Sequence, residues 1–167
     1  MGAPYNEVMR KAEDVIYNLV LARCGLNLSA FNAANIFRGL QGTELATPRI
    51  EIICESAKPE LSAELDIFTG NWHCAITIAL ITNYGDHTRA QREAMAAELF
   101  DIVLVDDLAD ALNNIVSVPD FTVFGGGAGK GETFTPDEVR SMVEEHEYKQ
   151  ELSGQLYCRP STSEVQR

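Results

Sequence analysis

Apolar residues recur at helical spacing in three segments of the chain. In residues 5–23 they return every three or four positions, as on the buried face of an amphipathic helix. A second segment begins at Thr88, which forms a capping-box pattern with Gln91, and continues to about residue 104. A shorter helical pattern covers residues 108–117. We therefore predict three helices.

Alternating apolar and polar residues, together with short apolar runs, predict four strands. They cover residues 49–56, 71–84, 121–124 and 147–158. One face of the longest strand is entirely apolar and consists of Trp72, Cys74, Ile76, Ile78 and Leu80. The opposite face is partly apolar, which indicates that it is partly covered as well.

The segments between these elements have the composition of turns and loops. We expect a loop over residues 57–70 and a mobile loop over the glycine-rich residues 125–135, because glycine disfavours both helix and strand. Thr135 and Pro136 then fit the cap and first turn of a short helix. Residues 26–47 fit either a short helix or an irregular strand.

The order of the main elements is helix, strand, strand, helix, helix, strand, strand. This order predicts a single α+β domain over residues 1–160, with a four-stranded, largely antiparallel sheet and helices packed on one face. The polar residues 161–167 are expected to form a frayed C-terminal tail.

The net charge of the chain limits the classes of partner that it can bind. The 167 residues carry a formal charge of −12, which argues against a protein that grips duplex DNA or an anionic membrane, since such binding needs a cationic surface. Residues 61–130 alone carry ten acidic against three basic residues. No apolar segment approaches the ~20 residues of a transmembrane helix, and the N-terminus lacks a secretory pattern. We predict no membrane association.

The reactive residue types form no recognisable catalytic or metal-binding pattern. The four cysteines contain no CxxC pair and are predicted to be buried, reduced thiols of a protein that matures in a reducing cytoplasm. The three histidines lack metal-ligand spacing. The loop FGGGAGKGE lacks the Ser or Thr that a phosphate-binding loop needs for magnesium. We predict no enzymatic activity, cofactor or metal site, although an acid–base site assembled only by folding stays open.

Several fragments of the chain stand out together by their order and spacing. They span about residues 5–160 and are the N-terminal helix, TPRIEIICES, TGNW with HCAITIALITNY, GDHTRAQREAMAAEL, DLADALN, FTVFG and LSGQLYCRPS. In this order they resemble the tail-completion or tail-terminator proteins of long-tailed bacteriophages. The glycine-rich loop and residues 26–47 depart from the compact pattern of that family, which leaves the contacts between subunits open.

The resemblance implies a virion structural protein that caps the tail tube. Subunits of this family assemble into a hexameric ring, which ends tube polymerisation and joins the tail to neck or connector proteins. The virion is assembled in the host cytoplasm, and DNA passes through the lumen without specific binding. The charge of −12 adds the hypothesis of an acidic lumen that repels phosphates. The alternatives are another head–tail connector component (stopper, adaptor or head-completion protein), a host-side interaction module with no virion role, and a small unrecognised enzyme.

Candidate interface residues come from the lone tryptophan, the glycine-rich loop and two further aromatic residues. Trp72 fits either a core position or an interface anchor. The surface toward neighbouring subunits or the tube protein is predicted to include Trp72, Gly125, Gly126, Gly127, Lys130, Phe134 and Tyr148.

Overall fold

A curled sheet and three helices make up the part of the chain that the structure describes. The computed structural model describes residues 5–39, 46–104, 108–115, 117–124 and 133–160. The helical elements are α1 (Tyr5–Arg23), a 3₁₀ turn (Leu26–Leu28), α2 (Arg89–Val103) and α3 (Leu108–Asp110), which continues as a π-helical turn (Ala111–Ile115). The strands are β1 (Ile36–Arg38), β2 (Arg49–Leu61), β3 (Phe68–Asn83), β4 (Phe121–Val123), β5 (Phe134–Glu144) and β6 (Glu147–Pro160).

The described sheet has the order β1-β2-β3-β6, and both β4 and β5 pair with the far edge of β6. β1 runs parallel to β2, and the other pairings among the described strands are antiparallel. β4 lies opposite residues 158–160, whereas β5 lies opposite residues 147–156. The α+β class is confirmed, and the pairing is largely antiparallel as predicted.

The core lies between α1, α2 and one face of the sheet. The apolar stripe of α1 is fully buried and consists of Val8, Ala12, Val15, Ile16, Leu19 and Val20. It shares one hydrophobic cluster with the inward positions of the central strands, Ile50, Ile52, Ile76, Ile78, Leu80, Leu152 and Leu156. Each such side chain contributes about 1.5–3 kcal/mol on burial, so this cluster is what fixes α1 against the sheet.

A capping box begins α2, as the sequence predicts. The Thr88 hydroxyl accepts a hydrogen bond from the backbone N–H of Gln91 at 3.1 Å, and the Gln91 side-chain oxygen accepts one from the backbone N–H of Thr88 at 2.8 Å. These two bonds satisfy N–H groups that have no partner inside the helix.

A carboxylate on α2 fixes the segment that follows α1. Glu98 accepts hydrogen bonds from the backbone N–H groups of Gly25, Asn27 and Leu28 at 3.4, 3.2 and 3.1 Å. Between them, Leu26 has a φ of 44° and leaves 90% of its surface exposed. Positive φ is unfavourable for a leucine, so the bonds to Glu98 stabilise a strained backbone.

The predicted sheet of four strands was too small, because the structure adds β1 and β5. The segment 26–47, which fitted both helix and strand, contains the 3₁₀ turn and β1. β5 replaces the helical turn predicted at Thr135 and Pro136 and the end of the predicted loop 125–135. Pro136 fits there because β5 is an edge strand, whose free side needs no N–H donor. Residues 125–132 and the tail 161–167 lie outside the described residues.

The prediction of a loop over residues 57–70 was also wrong for most of that segment. β2 continues to Leu61 and β3 begins at Phe68, so the two strands form a long hairpin. Pro59 is tolerated because, among the described strands, β1 pairs with β2 only at residues 50–52, so no described strand needs an N–H donor from Pro59 on that side. The hairpin therefore projects a short turn at one end of the sheet.

Candidate interaction surfaces

Four large apolar side chains are exposed together at the turn between β2 and β3. The exposed fractions are 52% for Leu61, 69% for Leu65, 58% for Ile67 and 48% for Phe68. We call this surface, with the intervening residues 62–66, the hairpin tip. Apolar clusters of this kind on a water-soluble surface mark contact sites more often than isolated exposed residues do.

Local hydrogen bonds order the hairpin tip. The hydroxyl of Ser62 accepts bonds from the backbone N–H groups of Leu65 and Ile67, both at 3.3 Å. The Ser62 backbone N–H donates to the Ile67 carbonyl at 2.8 Å, and the Asp66 N–H donates to the Ser62 carbonyl at 3.1 Å. The turn thus has a defined shape, which lowers the entropy lost when it binds a partner.

A polar cluster at the base of the tip ties β2, β3 and β6 together. The hydroxyl of Tyr157 donates to both carboxylate oxygens of Glu60 at 2.8 and 2.9 Å. Thr69 and Asn71 donate to the same carboxylate at 2.9 and 3.1 Å. His73 lies 3.5 Å from Glu60 and is stacked on Tyr157 with ring centroids 4.7 Å apart. We call these five residues the Glu60 cluster.

The hydrogen bonds of the Glu60 cluster change the acidity of its members. Burial raises the pKa of Glu60, but the donors Tyr157, Thr69 and Asn71 outweigh it, and the net pKa lies below its ordinary value of 4.5. Burial and the neighbouring carboxylate raise the pKa of Tyr157. The Glu60 carboxylate therefore stays ionised, and its hydrogen bonds join β2 to β3 and β6.

A second exposed surface lies between the start of α2 and the end of β5. It is a groove of about 300 Å³. Its lining is Arg89, Arg92, Glu93, Ser141, Met142, Val143, Tyr148 and Gln150. The guanidinium of Arg92 lies 3.8 Å from the ring centroid of Tyr148, a cation–π contact, and donates to the His87 carbonyl at 3.1 Å. We call this surface the α2–β5 groove.

The sheet face opposite the helices carries an acidic concavity of about 440 Å³. Among its lining residues, Glu55, Asp137, Glu138 and Glu151 are acidic and Arg140 is basic. Arg140 bridges Glu151 at 3.1 Å and Glu138 at 3.7 Å, and Thr77 donates to Glu55 at 2.7 Å. With four carboxylates against one guanidinium, this face has a net negative charge.

The outer edge of β5 is exposed, but its residues disfavour pairing with a strand of another molecule. Val139 and Val143 leave 60% and 52% of their surfaces exposed on this strand. Pro136 and a bulge between Pro136 and Glu138 interrupt its ladder. Such features limit edge-to-edge aggregation, so contacts through side chains fit this edge better than addition of a strand.

The predicted interface residues are only partly brought together. Trp72 is 7% exposed and packs edge-to-face on Phe68 of the hairpin tip, with centroids 5.4 Å apart. Phe134 is fully buried against Gly154. Tyr148 lines the α2–β5 groove. Trp72 therefore supports one surface from beneath, and Tyr148 belongs to the other. Gly125, Gly126, Gly127 and Lys130 lie outside the described residues.

The tip and the arginines of the groove were not among the predicted residues. A signal for the tip is present in the sequence ELSAELDIF, because four large apolar residues fall within a short acidic turn segment. No comparable local signal marks the groove, since its two walls come from α2 and from the hairpin of β5 and β6, which are distant in sequence.

The cysteines of the described core are unreactive thiols. Cys54, Cys74 and Cys158 are buried and Cys24 is half-buried, all without a disulfide. The sulfurs of Cys74 and Cys158 lie 3.6 Å apart. Hydrogen bonding between the thiols and burial raise the pKa values of Cys54 and Cys74, which keeps both thiols protonated.

The described ranges contain neither a metal-binding group of side chains nor a membrane-spanning helix. There, no three His, Cys, Asp or Glu side chains are grouped so as to hold a metal ion. Among the helices that the structure describes, none has the length and apolar character needed to cross a membrane.

Comparison with known proteins finds a solved structure of the same fold. No protein-family model and no curated protein matches the chain. Among solved structures, a chain from the virion of a native gene transfer agent (GTA) particle aligns with a TM-score of 0.59 and 13% sequence identity, over 92% of this chain and 96% of that one. The two chains share a fold. At this identity the similarity to the GTA virion chain shows the fold alone. A second structure, with a TM-score of 0.44 and 13% identity over 92% of each chain, is too distant to carry an argument.

Proposed function

We propose that this protein is a non-enzymatic structural component of a virion, which assembles there with other virion proteins. The observation that carries the proposal is the fold shared with the GTA virion chain over nearly the whole length of both chains. The surface of the chain agrees with an assembly role. It exposes an ordered apolar tip and an apolar groove, which are features of a protein that binds other proteins.

We further propose that the protein caps the tail tube as a ring of six copies, ending tube polymerisation and joining the tail to the neck. The fragments that resemble tail-terminator proteins support this more specific role, since most of them lie in α1, β2, β3, α2 and β6, which contribute to the core. The ring would be assembled in the host cytoplasm and retained in the virion.

The acidic sheet face supports a role around DNA without specific binding. If Glu55, Glu138 and Glu151 line the lumen of the ring, their net charge repels the phosphates of passing DNA. The interaction is screened over about 8–10 Å at physiological salt, so it lowers friction at the wall and does not block passage.

Electron microscopy of tube assembly tests the proposal. The purified protein is mixed with the tail-tube protein of the same particle while tubes polymerise, and tube lengths are measured. We expect shorter tubes, each with a ring at one end, and no effect of an equal amount of an unrelated acidic protein. Tubes of unchanged length without a terminal ring contradict capping. In a parallel pull-down, binding to the portal side and not to the tube indicates the connector alternative.

A further inference from the structure

The hairpin tip combines apolar side chains with negative charge. Leu65 and Ile67 are exposed beside Glu64 and Asp66. Residues 60–68 contain three acidic and no basic residues. A partner surface for this tip must therefore be apolar at its centre and basic at its rim.

The α2–β5 groove of the same chain has that complementary character. Its apolar floor includes Val143, and its rim carries Arg89 and Arg92, two of the three basic residues between residues 61 and 130. Arg89 is 83% exposed and pairs only with its helix neighbour Glu93 among the described residues. The guanidinium of Arg92 lies against the Tyr148 ring and adds a second positive charge to the rim. The exposed guanidinium of Arg89 can therefore bind an incoming carboxylate.

The two surfaces lie at opposite ends of the sheet, so one chain cannot join its own tip to its own groove. The tip precedes β3 at Phe68, whereas Tyr148 of the groove pairs with Thr82 near the other end of β3. At ~3.3 Å per residue, the strand separates these positions by roughly 45 Å. Two different patches at opposite ends of a subunit form a head-to-tail contact, which closes into a ring when the rotation between copies allows it.

We propose that the hairpin tip of one copy of this protein docks in the α2–β5 groove of the next copy. Leu65 and Ile67 enter the apolar floor, and Glu64 and Asp66 face Arg89 and Arg92 at the rim. The inference rests on the proposed function, because only a closed ring repeats this contact between all of its copies. It also assigns a role to the Glu60 cluster, which fixes the tip at the end of three strands, and to Trp72, which supports Phe68 from beneath.

Disulfide cross-linking between variants that each carry one introduced cysteine tests the contact. Ile67→Cys and Val143→Cys are purified separately, mixed and oxidised mildly, with and without the tube protein. We expect a covalent dimer from the mixture and at least several-fold less dimer from either variant alone. Ser117→Cys, an exposed position that belongs to neither the hairpin tip nor the groove lining, replaces Val143→Cys in the control mixture. Every variant also carries Cys24→Ser, because the native Cys24 thiol is half-buried, whereas the native thiols at positions 54, 74 and 158 are buried and give little background.

Exchange of the charges provides a second test on folded protein. Glu64→Lys or Arg89→Glu alone is expected to reduce the cross-linked dimer by about three- to ten-fold, because each places like charges in contact. Introducing Glu64→Lys in the tip variant and Arg89→Glu in the groove variant should restore it. Thermal unfolding of each variant shows whether the fold is intact.

The outcomes separate this inference from the proposed function. Dimer no more abundant than in the Ser117 control, or attachment of the Ile67 variant to the tube protein, overturns the tip-in-groove contact even if the protein shortens tubes. Charge reversals that do not rescue each other overturn the pairing of Glu64 with Arg89. A specific cross-linked dimer from a protein that leaves tube length unchanged supports the contact and contradicts capping.

Discussion

Gly154 provides the sharpest test of how β5 is attached to the sheet. An alanine Cβ at this position would lie 2.5 and 2.6 Å from Cε2 and Cζ of Phe134, and 2.6 Å from the carbonyl oxygen of Thr135. The Phe134 ring is fully buried over Gly154 at the start of β5. Glycine is thus required here for the close approach of an aromatic ring and of a neighbouring backbone.

The cost of Gly154→Ala follows from this geometry. Compressing a packed core by one methyl group costs about 1–3 kcal/mol, and moving the ring outward forfeits a similar part of its burial energy. We expect the free energy of unfolding to fall by about 3 kcal/mol, roughly a 100-fold change in the folding equilibrium. Urea unfolding should show a lower midpoint at unchanged m-value, and the melting temperature should fall by about 6–12 °C.

Two further variants complete the Gly154 experiment. Gln155→Ala, an exposed neighbour on the same strand, should change stability by less than about 0.5 kcal/mol. Phe134→Leu combined with Gly154→Ala should be more stable than the sum of the two single losses predicts, because the shorter side chain relieves the clash. Wild-type stability of Gly154→Ala would refute the packing of β5 described here.

Three other variants test individual hydrogen bonds. Thr88→Ala removes one half of the capping box with Gln91 and should lower stability by about 1 kcal/mol, measured by urea unfolding. Tyr157→Phe removes donors that lower the pKa of Glu60; stability that is present above pH 4.5 and lost as the pH falls through the lowered pKa should therefore shrink in a pH series. Glu98→Ala removes the described acceptor of the Gly25 and Asn27 N–H groups, whereas the Leu28 N–H keeps its bond to the Gly25 carbonyl. Hydrogen exchange at Gly25 and Asn27 should therefore accelerate. Unchanged values in these assays would contradict the assigned bonds.

Elements with a strong local signal could be predicted from the sequence. The stripe of α1 and the Thr88–Gln91 box depend on residues three or four positions apart, and both were confirmed. The alternation that predicts β3 also holds, since Cys74, Ile76 and Ile78 are fully buried on its inward face. In each case the pattern that selects the element also selects its buried face.

Elements that depend on distant pairing could not be predicted. Thr135 and Pro136 carry the signature of a helix start, yet β5 forms because it pairs with β6 from Phe134 to Glu144. The extension of β2 past Pro59 likewise depends on its pairing with β3, which only the fold reveals. The candidate surfaces follow from these two hairpins, so the sequence pattern marked Trp72 and Tyr148 but missed the tip and groove beside them.

We propose that this chain is a structural component at the end of a virion tail, and particles made with and without it test that proposal most directly. Virions are purified from cells that carry the intact gene or a deletion, and gold-labelled antibody against the protein is located by electron microscopy. We expect label at the neck end of the tube in intact particles, and tubes of irregular, excessive length after deletion. Unlabelled particles, together with tails of normal length and normal attachment after deletion, would contradict it.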